Sequence, residues 1–304
     1  MTHYWPGSNP RSRDIKEKSI KYFFSIISIT ALVILLGIFI FLLVTGSKTF
    51  SEVSLLDFLS GSDWNPTAYS TPKYGILSLI VGTLMVTFGA LAIAIPIGIA
   101  SAIYLAEIAK PKVREAIKPV VEMIAGIPSV VLGLIGLLVL SPLIARIFSL
   151  SHGLNALTAS IVVAVMILPT IISISEDVLT SLPKDFREAS LALGSTKWQM
   201  IRMALLPPAL SGIVAAIMLG LGRAVGETMA VLMVAGNSRA MPHSFFDPVR
   251  PMTANIAIEI KEVVQGSLHY NSLFAIGLVL FILTFLVNLI SDLILERQSR
   301  RYKW

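Results

Sequence analysis

The 304-residue chain contains no cysteine, so neither a disulfide framework nor a thiolate metal site can be built from it. Charge is scarce too: 14% of residues are Asp, Glu, Lys or Arg, against 55% hydrophobic. A soluble domain of this size has too little interior to hide that much apolar side chain, which leaves a polytopic, all-α membrane protein. The four histidines, His3, His152, His243 and His269, are scattered, and none has a metal-ligand spacing such as H-E-x-x-H. No G-x-x-x-x-G-K-S/T run occurs, so the chain lacks the phosphate-cradling loop of P-loop ATPases. The net charge of +6 comes in short runs without interleaved aromatics, which argues against nucleic acid as a partner. There is no internal repeat and no low-complexity segment.

What is abundant is long apolar sequence, with a mean hydropathy of +0.81. About 20 apolar residues span a bilayer core, and six stretches qualify: 22–45, 75–106, 121–148, 155–175, 209–235 and 270–294. The first is too long for a signal-peptide core and reads as a retained membrane helix. Pro96, Pro128 and Pro142 interrupt the second and third, where each removes a backbone hydrogen bond and kinks the helix. Inside a membrane the freed carbonyls need protein or water partners, so the pattern predicts a packed bundle around a pathway.

Lys and Arg set the topology. Seventeen fall in 1–21, between spans two and three, between spans four and five, or after span six; six fall in the alternate segments, counting Arg146 at the outer end of span three; Arg223 alone lies deep inside a span. The expected organisation is a cytoplasmic tail 1–21, a first helix 22–45, an extracytoplasmic loop 46–74, a five-helix core 75–294 and a cytoplasmic tail 295–304. Segment 236–269 faces outward, as 46–74 does. Glu176 and Asp177 read as solvated charges at the cytoplasmic end of span four.

The cytoplasmic segment 183–206, LPKDFREASLALGSTKWQMIRMALL with its preceding leucine, carries more local information. Pro183 suits a first helical turn, and Lys184 to Leu193 reads as a short amphipathic helix. Gly194 suits the left-handed stop, and Thr196 with Gln199 forms a capping-box pattern for a second helix. That helix is expected to run to Leu206 and to be closed by Pro207-Pro208. Taken alone, the pair could be a connector or a helix lying on lipid.

Glu188-Ala189-Ser190, Gly194 and Leu206-Pro207 resemble the EAA loop of binding-protein-dependent ABC importer permeases. Ser190 and Ala204 depart from the motif, where the family has Ala and Ile. The resemblance implies a type I ABC importer transmembrane domain whose cytoplasmic coupling helices dock a separate ATPase, with Glu188, Ala189 and Gly194 as docking residues. GIPSVVLGLIGLLVLSP (126–142), GRAVGETMAVLMVAGN (222–237) and WNPTAYSTPKYGILSLIVGTL (64–84) resemble the PstC-type permease subunits of phosphate importers, over about 64–292. The implied partners are an A-type sister permease, a dimeric ATPase subunit, an extracytoplasmic phosphate-binding protein and membrane lipid. No cofactor is implied in this chain itself: ATP and Mg belong to the ATPase subunits.

Arg223 falls near the middle of the fifth stretch, where a lone Arg costs about 2.5–3.5 kcal/mol on insertion scales. Glu227 follows at i+4, one turn away on the same helix face. The two could neutralise each other as a lock between helices. Alternatively, Arg223 could meet an anion, since its planar fork grips two phosphate oxygens at once. Glu227 would then orient Arg223 or accept the proton of HPO₄²⁻. Gly220, Gly222 and Gly226 clear the neighbouring backbone or serve close helix packing. Ser129, after Pro128, is a candidate pathway residue or part of a packed kink. A secondary anion transporter would have no need of the docking loop, and an intramembrane hydrolase would need a Ser–His or Asp pair at membrane depth, where no histidine lies. Another oxyanion, molybdate or sulfate, is the alternative within the importer class.

Overall fold

The computed structural model describes the backbone of residues 10–301 and the side chains of 19–290 and Leu293. The extreme ends of both expected tails, and most of their charged side chains, lie outside the described residues. Helix α1 runs Pro10–Ser47, so it begins well inside the segment expected as a polar tail. From Tyr22 onward it is apolar on every side, and it packs along one neighbour, through Phe39 against Phe281 and Phe41 against Phe274. A helix hydrophobic all round belongs in lipid.

A short helix α2 (Leu55–Ser60) and a two-stranded ribbon follow, β1 (Trp64–Asn65) antiparallel to β2 (Lys73–Tyr74). The core helices are α3 (Leu77–Ile103) and α7 (Ala156–Ser181), which pack over most of their length, with α10 (Leu206–Gly226) against α7. Pro96 and Pro169 sit inside α3 and α7 without ending either helix. A wide π turn, Tyr104–Ile108, extends α3. Val86, Ala90 and Leu91 of α3, Val163 and Ile167 of α7 and Ala224 of α10 are fully or nearly buried at the centre.

The third stretch is not one helix. It comprises α4 (Pro111–Ala125), α5 (Ser129–Ile135), a π turn over Gly136–Leu140 and α6 (Ser141–Ile147). The membrane-length part starts at Ser129 rather than 121. Pro128 has no N–H to continue the ladder and disfavours helical backbone at Ile127. Lys118 of α4 reaches Glu176 of α7, while a Cβ on Gly136 would stand 2.7 Å from Val162. The α4–α6 rod therefore runs antiparallel to α7.

Beyond α7 come α8 (Lys184–Ala192), α9 (Lys197–Gln199), a π turn Met200–Leu205, α10, α11 (Met229–Val234), α12 (Met252–Glu259) and α13 (Leu268–Arg301). Pro207 and Pro208 do not close the helix begun at Lys197: an apolar rod continues to Gly226. The π turn immediately before them widens the ladder where two prolines supply no N–H. Among the described residues six helical stretches are long and apolar enough to cross a membrane, as the composition requires.

Segments 48–76 and 236–267, predicted to share a side, pack into one lobe. Phe58, Trp64, Ile76, Met252 and Leu273 form its apolar centre. Its polar centre is Glu259, 6% exposed. Trp64 Nε1 donates to both carboxylate oxygens at 3.1 and 3.0 Å, Arg250 at 3.0 Å, and His269 Nε2 lies 2.8 Å away. Burial and the nearby Arg239 charge lower the Arg250 pKa, and Glu259 opposes them.

Candidate functional site

The loop 183–206 forms the glycine turn and capping box that its sequence pattern requires. Gly194 sits at φ +81° with open space around its Cα, a conformation that L side chains rarely adopt. The Thr196 N–H donates to Gln199 Oε1 at 2.8 Å and the Gln199 N–H to Thr196 Oγ1 at 3.3 Å, so both halves of the capping box are closed. Glu188, Ala189 and Gly194 are all exposed. Beside them lie Leu191, Leu193 and Trp198 at 51%, 87% and 61% exposure. Apolar side chains gathered on one loop mark an interaction surface. Leu193 and Trp198 carry no family motif letter, and only their exposure singles them out.

The loop is anchored from beneath. Arg187 donates from Nε and Nη2 to Glu107 Oε1 at 3.0 and 2.6 Å, and to the Leu182 and Leu179 carbonyls at 3.0 and 2.8 Å. Glu176 is not a solvated charge: it is 1% exposed and pairs with Arg114 and, at 2.6 Å, with Lys118. Asp177 is exposed yet also pairs with Lys118 at 2.6 Å. The hydrogen bonds to Asp177 and then Glu176 hold the Lys118 ammonium above its ordinary pKa. Sequence could not reveal these pairs, because their partners are 58 to 80 residues apart.

Arg223 and Glu227 do not share a helix face. α10 ends at Gly226, and Glu227 is extended, at φ −66° and ψ 128°. Arg223 thus lies in the last turn of α10 rather than at mid-helix, where a cation suits the helix C-terminus. The Glu227 carboxylate accepts the Ala230 N–H at 3.0 Å and so caps α11. The Thr253 hydroxyl donates to the Glu227 carbonyl at 2.9 Å and Thr228 to the Gly226 carbonyl at 3.2 Å. These bonds satisfy backbone groups released by the break. The half-buried Arg223 guanidinium has no hydrogen-bond or ion-pair partner among the described residues.

A second interruption stands beside the first. α5 packs on α11, and a Cβ on Gly133 would lie 2.9 Å from the Ala230 Cα. Gly133 is one turn from Ser129, the first residue of α5, and Ala230 is three residues from Glu227. The breaks at Gly126–Pro128 and Glu227–Thr228 therefore flank one helix contact. Ser129 is half-buried and its hydroxyl has no protein partner among the described residues. Of the glycines in the motif, Gly220 packs against Ile171, while Gly222 and Gly226 meet nothing within 4 Å of a Cβ. Together with Leu219, 59% exposed, they leave one face of α10 open.

Among the described residues, six membrane-length helices, two of them interrupted side by side, and an exposed two-helix loop at one end have the form of a transmembrane transport subunit. The chain belongs to the binding-protein-dependent transport system inner membrane component family, whose model matches residues 94–304. It is 45% identical over 265 residues to the "Probable ABC transporter permease protein YqgH" of Bacillus subtilis (strain 168), covering 86% of this chain and 85% of that one. It is 38% identical over 293 residues to the "Phosphate transport system permease protein PstC" of Mesorhizobium japonicum, covering 90% and 88%. The fold is that of ABC importer membrane subunits. The MetNI methionine ABC transporter in inward-facing conformations aligns at TM-score 0.58 and 23% identity, over 73% of this chain and 97% of that one. A bacterial alginate ABC transporter aligns at 0.62 and 16%, over 95% and 96%. The protein is thus a multi-pass inner-membrane transport subunit rather than an enzyme.

Proposed function

We propose that this chain is the permease subunit of an ATP-driven phosphate importer and lines half of the path for inorganic phosphate. The observation that carries the reading is the unpartnered Arg223 guanidinium beside two adjoining helix breaks, within one of the stretches that resemble phosphate permeases. Discontinuous helices are where membrane transporters place their substrate groups, and a guanidinium without an internal partner keeps its donors for an oxyanion. Glu227, committed to the Ala230 N–H, shapes the break and leaves Arg223 free. Ser129 supplies a hydroxyl at the neighbouring break.

Energy enters at the other end. Glu188, Ala189 and Gly194, with Leu193 and Trp198, form the seat for a dimeric ATPase subunit that holds ATP and Mg. The open face of α10 at Leu219, Gly222 and Gly226 suits close approach of an A-type sister permease. The lobe built from 48–76 and 236–267 faces the extracytoplasmic phosphate-binding protein, and both termini are cytoplasmic.

The test is uptake by vesicles containing the complex co-purified with this chain, given radiolabelled phosphate, sulfate or molybdate with ATP inside. Vanadate-sensitive uptake of phosphate is expected. Uptake that ignores vanadate and follows a proton gradient would replace the reading with a secondary transporter; preference for another oxyanion would replace the substrate.

A further inference from the structure

We propose that Arg187 and Glu107 form the joint that transmits movement of the docking loop into the membrane helices, with Arg187 as a positioning residue. The proposal deepens the importer reading and rests on the docking role of α8. Glu188 and Ala189 point the outer side of α8 to solvent, and Arg187, 21% exposed, takes the inner side. Its guanidinium fork reaches two other chain segments at once, the extension of α3 and the end of α7. Nε and Nη2 grip Glu107, whose side chain is 5% exposed. Nη1 and Nη2 take the carbonyls of Leu182 and Leu179.

Each contact has a physical reason to be stiff. Leu179 and Leu182 close α7, where the last helical carbonyls have no intrahelical partner, so Arg187 serves as their cap. Glu107 lies in the wide π turn that extends α3, and such turns are often found at functional sites. A two-point Arg–carboxylate grip fixes orientation as well as distance. Among the described residues this is the one ion pair that α8 makes. A push on α8 therefore reaches the ends of α3 and α7 together, the two helices that form the centre of the bundle. Phe186, half-buried on the same side, supplies an apolar contact that can slide; the fork cannot.

The absence of cysteine makes the test direct. Spin labels are placed at Tyr104→Cys and Lys184→Cys, both exposed and the second at the start of α8, in the complex co-purified with the chain. Their separation is measured without nucleotide and with ATP and vanadate, alongside basal and phosphate-stimulated ATP hydrolysis. In the otherwise native chain one narrow distance is expected in both states, because the joint moves as a body. With Arg187→Met the distance should broaden or shift with nucleotide, and the stimulated-to-basal ratio should fall at least tenfold at equal complex recovery. Glu107→Gln should do the same more mildly, and Arg187→Lys, which keeps the charge but loses the fork, should fall between. If Arg187→Met does not assemble, these two milder variants decide on the same criteria. Native distances and coupling ratios in assembled variants would overturn the joint. The distance readout needs no phosphate: failed phosphate uptake by the unsubstituted complex refutes the importer reading separately.

Discussion

Glu227 caps the helix that begins just after it, accepting the Ala230 N–H at 3.0 Å, and makes no ion pair with Arg223 four residues earlier. The self-neutralising lock therefore has no counterpart in this conformation, and the two residues hold separate tasks. Arg223→Ala should abolish phosphate uptake while complex recovery stays near normal. Arg223→Lys should fall well short of the native protein, since a point charge does not reproduce the fork. The double change with Glu227→Ala should not restore transport. Uptake measured at matched expression checks this, and recovery in the double variant would reinstate the lock.

The proposed docking seat depends on one backbone conformation. Gly194 at φ +81° turns α8 into α9, and a β-branched side chain tolerates that region poorly. Nothing lies within 4 Å of a Cβ there, so the cost of Gly194→Val is in the backbone, of order 1–3 kcal/mol, and local. The variant should insert normally and lose ATPase-subunit recovery in pull-down. Full recovery together with native transport would remove the turn from the coupling path.

The docking turn was legible because its signals are local: a glycine, then Thr196 and Gln199 three apart. The spans were legible because bilayer thickness sets a length that composition can meet. The break at Glu227 was not, because hydropathy runs on through Met229–Val234 and the break is held by Thr253, 26 residues away. Pro207 and Pro208 misled for a related reason: the π turn at Met200–Leu205 absorbs them, and helix propensity does not encode that adjustment. Glu176 looked like an ordinary loop charge because its two cations come from another helix.

Glu176 is buried under Arg114 and Lys118. Removing both cations, by Arg114→Met with Lys118→Met, strands a buried carboxylate, at a cost of about 3–5 kcal/mol. The detergent-solubilised complex should lose thermal stability, and adding Glu176→Gln should recover most of it. An unchanged melting temperature in the double variant would mean that water already reaches Glu176.

The proposed sidedness rests on seventeen Lys/Arg against six. A reporter active only outside the cytoplasm should be silent when fused after the last residue and active when inserted beside Pro242, in the lobe. The reverse pattern would place the docking loop outside, where no ATPase could reach it.

The lobe itself hangs on Glu259. One carboxylate joins the β-ribbon through Trp64, the segment after α11 through Arg250, and the start of α13 through His269. Arg250 in turn donates from Nε to the Asn237 carbonyl at 2.8 Å, so the tie reaches the chain leaving α11. Glu259→Ala removes the acceptor from three donors, 6% exposed at their centre, and leaves the buried Arg250 unpaired, again about 3–5 kcal/mol. The loss should be confined to this end: proteolysis should speed up in 48–76 and 236–267 while ATPase-subunit recovery through the Gly194 loop stays native. Glu259→Gln, which keeps an acceptor but no charge, should lie between. If cleavage rises equally at both ends of the bundle, Glu259 supports the whole fold and not the lobe alone. If the lobe receives the binding protein as proposed, phosphate-stimulated hydrolysis should fall with lobe protection across the three proteins.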